Sequence, residues 1–156
     1  MLLISTFSLG PTWPTAFTQL NMAIASDTPD VAILSFGTND ILFLYNVVVN
    51  WGGNPSTLDI GQIITNYRSL ADIATQANLS AFFALTPPVK STYIHNPLYN
   101  DLVNDMNNRL RHTSSAERFI DFHTFMVDPT DFLNDLHFTN SGQTKRTTAA
   151  VQEIKN

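Results

Sequence analysis

The chain has 156 residues, 44% of them hydrophobic and 13% charged, with a formal net charge of −5. That is ordinary globular composition for one domain with a sizeable core, and it excludes a disordered chain. The acidic balance, with no basic spot denser than Lys145-Arg146, speaks against nucleic acid and anionic membrane surfaces, and the absence of cysteine removes thiolate catalysis, disulfides and cysteine metal sites.

Residues 2–7, LLISTF, suit a short strand, and GPTWP follows as a turn. From Pro14 the apolar residues Phe17, Leu20 and Ile24 recur at helical spacing, with Ala16 and Ala23 beside them, until DTPD breaks the helix near Ser26. Residues 31–35 are apolar at nearly every position, as in a strand covered on both faces. Residues 41–58 show no regular period: ILFLYNVVVNW runs into the loop GGNPST, where Ser56 or Thr57 can cap the next helix. That helix carries Ile60, Ile63, Ile64, Tyr67, Leu70, Ala71, Ala74 and Ala77 on one face. A third strand spans residues 80–85 and stops at Thr86-Pro87-Pro88. Leu98, Leu102, Val103, Met106 and Leu110 mark another helix. A fourth strand covers 118–122, a loop covers 123–140, and a last helix covers 141–154 with Ala149, Ala150, Val151 and Ile154 for packing.

Strict β-α alternation predicts one α/β domain over 1–156, a parallel sheet with helices on both faces. Ligands in such sheets bind outside the carboxyl ends of the strands. Gly10, residues 37–40, 86–95 and 123–139 therefore share one rim. Two motifs on it can carry chemistry. Gly37-Thr38-Asn39-Asp40 ends the second strand: Gly37 allows a close approach, and Asn39 can aim an amide N–H across the rim as an oxyanion donor does, although these residue types also build plain turns. His137, in Asn134-Asp135-Leu136-His137, can serve as an oriented general base, or can be an ordinary loop histidine with Ser141 as a helix cap. His95, His112 and His123 have no metal-ligand spacing, no cofactor motif occurs, and no apolar run approaches the ~18 residues of a membrane span. Trp13, Phe43, Tyr45, Trp51 and Tyr93 fall in predicted loops, where they line a site or cap the core. Asn78-Leu79-Ser80 is a glycosylation sequon abutting a strand.

Taken together, GTND and the His box resemble the SGNH (GDSL-type) hydrolases. The family's G-x-N-D block is matched by Gly37, Asn39 and Asp40, its D-x-x-H block by His137, and its earlier lone Gly by Gly10, 29 residues before Asn39. The resemblance implies a three-layer flavodoxin-like fold with strand order 2-1-3-4-5. It further implies a small acyl or carbohydrate ester as substrate, an acyl-enzyme mechanism, His137 as base, and Asn39 with the Gly10 N–H as oxyanion donors.

Two departures stand out. No Gly-Asp-Ser occurs, and Ser8 lies too close to Gly10 for the family's nucleophile block. The chain therefore reads as a fragment starting at the family's second strand, with the first strand missing. The alternatives are that strand 2–7 pairs directly with strand 31–35, or that another chain pairs into the gap. The second departure is Asn134, which stands where the family has Asp, leaving Asn134, Asp135 or Asp131 to orient His137. A non-catalytic module that holds a glycan or a protein partner is the competing expectation. The N-terminus lacks the basic residue of a signal peptide; a full-length form with an upstream signal would be secreted.

Overall fold

Four short strands form the centre of the chain. In the computed structural model, which describes residues 2–5, 13–27, 29–52, 60–90, 96–113, 118–126, 128–134 and 137–156, they are β1 (Leu2–Ser5), β2 (Val31–Ser35), β3 (Ser80–Ala84) and β4 (Arg118–Ile120). All are parallel, in the order β1-β2-β3-β4. The helices are α1 (Trp13–Asp27), α2 (Thr38–Trp51), α3 (Ile60–Gln76), α4 (Asn96–Thr113), the single turn α5 (Phe122–Phe125) and α6 (Asn140–Lys155), with a 3-10 turn at Pro129–Asp131.

The period-two alternation of strands sorts the core into two layers. Ala32, Leu34 and Phe83 pack against Ala16 and Leu20 of α1, the α3 stripe from Ile60 to Ala74, and Tyr99, Val103, Met106 and Leu110 of α4. On the opposite face Ile33, Phe82, Ala84 and Ile120 meet Phe122, Ala149 and Ala150 of α5 and α6. This is the helix-covered parallel sheet that the β-α alternation predicts, and the three-layer, flavodoxin-like arrangement that the family resemblance implies. β1 pairs directly with β2: Leu2, Leu3, Ile4 and Ser5 stand in register with Ala32, Ile33, Leu34 and Ser35.

Three segments differ from the sequence reading. β4 ends at Ile120 rather than at 122, because Asp121 accepts from the Thr124 N–H at 2.9 Å and caps the turn α5, and that turn and the 3-10 turn fall where a loop is expected. Residues 38–51 form a helix where an irregular stretch is expected. Val47-Val48-Val49 favours extended backbone by propensity, and tertiary packing of Ile41 and Tyr45, one turn apart and buried, decides otherwise. The helix covering 60–76 ends as expected, but through Asn78, whose φ of 61° lets the Leu79 N–H reach the Ala74 carbonyl at 2.8 Å. The sequon asparagine is thus an exposed helix terminator.

Candidate active site

β2 ends at Ser35, and the backbone then turns at Gly37 with φ +100°, a conformation that favours glycine. A side chain there would also meet Met106 Cε at 2.7 Å and Thr86 Oγ1 at 3.0 Å. The segment is therefore more than a turn: Thr38 opens α2, the Ile41 N–H bonds the Gly37 carbonyl at 2.8 Å, and Asn39 and Asp40 lie in the first helical turn. A carboxylate in that turn suits the helix dipole.

The wall behind this turn is polar and buried. The Phe36 N–H donates to the Tyr67 hydroxyl at 2.6 Å, and the same hydroxyl donates to the Phe36 carbonyl at 2.7 Å. Thr86 Oγ1 also donates to that carbonyl, at 2.8 Å. Thr86 is fixed in turn by Asn107, whose amide accepts from the Thr86 N–H at 3.0 Å and donates to its carbonyl at 2.9 Å. Tyr99 OH donates to the Thr38 carbonyl at 3.1 Å. Burial pushes the Tyr67 phenol well above its ordinary range, so it keeps the proton it donates.

His137 sits on a second scaffold. Phe132 and Phe138 form an antiparallel bridge with rings 5.2 Å apart, and the Leu133 N–H bonds the His137 carbonyl at 2.8 Å. Thr139, not Ser141, caps α6: its hydroxyl accepts from the Gly142 N–H at 3.3 Å, and its own N–H bonds the Asp131 carbonyl at 2.8 Å. Gly142 is required here because a Cβ would collide with that same carbonyl.

Asn134 Oδ1 accepts from the His137 backbone N–H at 2.8 Å and lies 2.9 Å from His137 Nδ1. The backbone donor identifies the Asn134 atom as oxygen. An oxygen acceptor then requires the proton on Nδ1 and leaves Nε2 with its lone pair. Among the described residues, Asn134 is the one whose side chain bonds the imidazole. Asp131 does not serve His137; it is fully buried beneath the loop, with Oδ2 receiving Lys145 Nζ at 2.6 Å and Oδ1 without a partner among the described residues. Asp135 and Gly10 lie outside the described residues, as do Ser8, Tyr93 and His95.

One residue touches both scaffolds. Arg146 of α6 reaches Ser35 Oγ at 3.4 Å, while its guanidinium lies over the Phe122 and Phe138 rings, 4.6 and 5.0 Å from their centroids. The His137 loop and the end of β2 thus share a neighbour. In the sequence Arg146 stands out only as half of a basic pair, although its i, i+3, i+4 spacing to Ala149 and Ala150 puts it on the packing face. Tyr67 stands there only as one apolar position of a stripe. Of the remaining aromatics, Tyr45 is core and Phe43 is half-exposed, both on α2. His112 Nδ1 bonds the Asn108 carbonyl at 2.7 Å, and His123 lies on α5, where burial lowers its pKa. Among the described residues no cluster of three or more His, Asp or Glu could hold a metal, and no helix is long and apolar enough to cross a membrane.

The model of the GDSL-like lipase/acylhydrolase family matches residues 8–145. A search of curated proteins finds no match. Among solved structures, a GDSL-like lipase from Bacteroides thetaiotaomicron superimposes with a TM-score of 0.69 at 15% identity, over 93% of this chain and 71% of that one. An acetylxylan esterase from Geobacillus stearothermophilus gives 0.61 at 14% identity, over 94% and 68%. The acetyl xylan esterase AlAXEase gives 0.66 at 13%, over 92% and 75%. At these identities the likeness is one of fold. The catalytic variants of the Geobacillus enzyme replace a serine, a histidine, and an aspartate three positions before that histidine.

Proposed function

Because this chain belongs to the GDSL-like lipase/acylhydrolase family, we propose that it carries the base and the oxyanion wall of a serine ester hydrolase working through an acyl-enzyme. In this reading His137 Nε2 removes the proton from a serine hydroxyl and passes it to the leaving alcohol. The Asn39 side chain and the Gly10 N–H steady the oxyanion of the tetrahedral intermediate. Asn134 holds the imidazole in the productive tautomer. The substrate class is a small acyl or carbohydrate ester, in keeping with the esterases that share the fold.

The observation that carries the reading is the double acceptance by Asn134 Oδ1, which leaves Nε2 as the basic nitrogen. Asn134 stands three residues before His137, the same spacing as the replaced aspartate and histidine of the Geobacillus enzyme, and in this reading it supplies orientation without charge. In the serine-protease case an Asp-to-Asn change lowers turnover by about four orders of magnitude. This combination of Asn134 with no Gly-Asp-Ser gives a definite expectation: the 156-residue polypeptide hydrolyses p-nitrophenyl acetate little or not at all.

The test adds a strand followed by Gly-Asp-Ser ahead of Met1, in a joined chain. Turnover should then appear, and a fluorophosphonate should label the added serine. His137→Ala should abolish turnover, and Asn39→Ala should lower it by roughly 10²–10³. A joined chain that folds and labels, yet is indifferent to His137→Ala, refutes the assignment of the base. Turnover by the polypeptide alone, lost with His137→Ala, would place the nucleophile inside it.

A further inference from the structure

Arg146 raises a question that the hydrolase roles leave unanswered. Its side chain is only 8% exposed, yet among the described residues no acid pairs with it. Its Nη1 reaches Gln143 Oε1 and its Nη2 reaches Ser35 Oγ, both at 3.4 Å, the far limit of a hydrogen bond, and its Nε has no partner among the described residues. A guanidinium does not escape such a setting by losing its proton, and an unpaired buried charge is costly. The Phe122 and Phe138 ring centroids lie 4.6 and 5.0 Å from the guanidinium carbon. The orphaned donor is a buried nitrogen on the guanidinium edge. Nε–H and Nη2–H point the same way in every arginine and form the fork that accepts the two oxygens of a carboxylate side-on.

We propose that this Nε–Nη2 edge, at the carboxyl end of β2, is a binding point for a small planar carboxylate. Ser35 Oγ stands beside the fork, and Phe138, the next residue after His137, flanks it, so the bound anion lies at the strand-end rim. Naming the ligand as the acid released from an ester, with acetate as the simplest case, rests on the hydrolase reading. The guanidinium site itself does not.

The experiment follows the arginine Nε–Hε signals of the ¹⁵N-labelled chain while sodium acetate is titrated against sodium chloride at matched ionic strength. Acetate should move Arg146 Nε–Hε saturably in the millimolar range. Exposed Arg109, already paired with Asp105, should follow only the salt. Arg146→Lys keeps the charge and removes the fork; acetate binding, read at the Ser35 amide, should weaken about tenfold. The proposal is overturned if acetate leaves Arg146 unmoved, if chloride moves it equally, or if inorganic phosphate binds there and acetate does not. No step of this test needs turnover. Acetate binding beside an inert joined chain would reject the hydrolase reading alone, and an active joined chain without acetate binding would reject the site alone.

Discussion

Among the described residues, Tyr67 OH and Thr86 Oγ1 both donate to the Phe36 carbonyl, and the Phe36 N–H gives to the same Tyr67 oxygen. This sharing predicts a specific failure of additivity. Tyr67→Phe removes the acceptor of a buried N–H but leaves the carbonyl with Thr86, and should cost about 2 kcal/mol. For a domain of this size that is a fall in Tm of about 4–8 °C. Thr86→Val removes one of two donors to the carbonyl and should cost about 1 kcal/mol. In the double variant the carbonyl loses both side-chain donors, so the combined cost should exceed the sum by about 1 kcal/mol or more. Urea unfolding followed by circular dichroism measures all four corners of the cycle. Additivity to within roughly 0.5 kcal/mol would refute the shared-carbonyl account. A neutral Tyr67→Phe would remove its premise.

The same phenol sets an alkaline limit. Burial raises its pKa in the fold above the unfolded value of about 10, so stability is intact below pH ~10 and falls as pH rises further; the urea midpoint should decline there, and less so in Tyr67→Phe. Asn134→Ala should release the imidazole: long-range ¹⁵N–¹H spectra should show the Nδ1–H tautomer in the parent and a mixture in the variant. Gly142→Ala should cost several kcal/mol, because the colliding atom is backbone, whereas Ser141→Ala on the same turn should be nearly neutral. Gly37→Ala should be comparably destabilising through its positive φ and the Met106 contact, as thermal melts will show.

Those parts of the fold that obey a one-dimensional period were readable in advance. β2 is apolar at successive positions because Ala32 and Leu34 face one layer and Ile33 the other, and α3 repeats its buried residues every three or four positions. α2 was not readable, since among its described residues only Ile41 and Tyr45 are fully buried and its β-branched run argues for a strand. The site divides in the same way. Asn134 and His137 are three residues apart, so their contact is a local matter that spacing can express. Tyr67 and Phe36 are 31 residues apart and Arg146 and Ser35 are 111 apart, and no pattern within either segment names the other. An apolar stripe records that Tyr67 is buried, but not where its hydroxyl points.

The paired bonds between Tyr67 and Phe36 also bear on how a strand can stop. Helix ends are closed by side-chain oxygens that stand in for the next turn of backbone. Here a phenol accepts one N–H and gives one hydrogen to the carbonyl of the same residue, as an adjacent strand would. To Phe36, Tyr67 is a neighbouring strand one residue long. The chain can therefore leave the sheet at Gly37 and begin a helix at once with its last extended residue already satisfied. In effect, Tyr67 is a strand cap, and the length of β2 is set from α3 as much as by its own sequence.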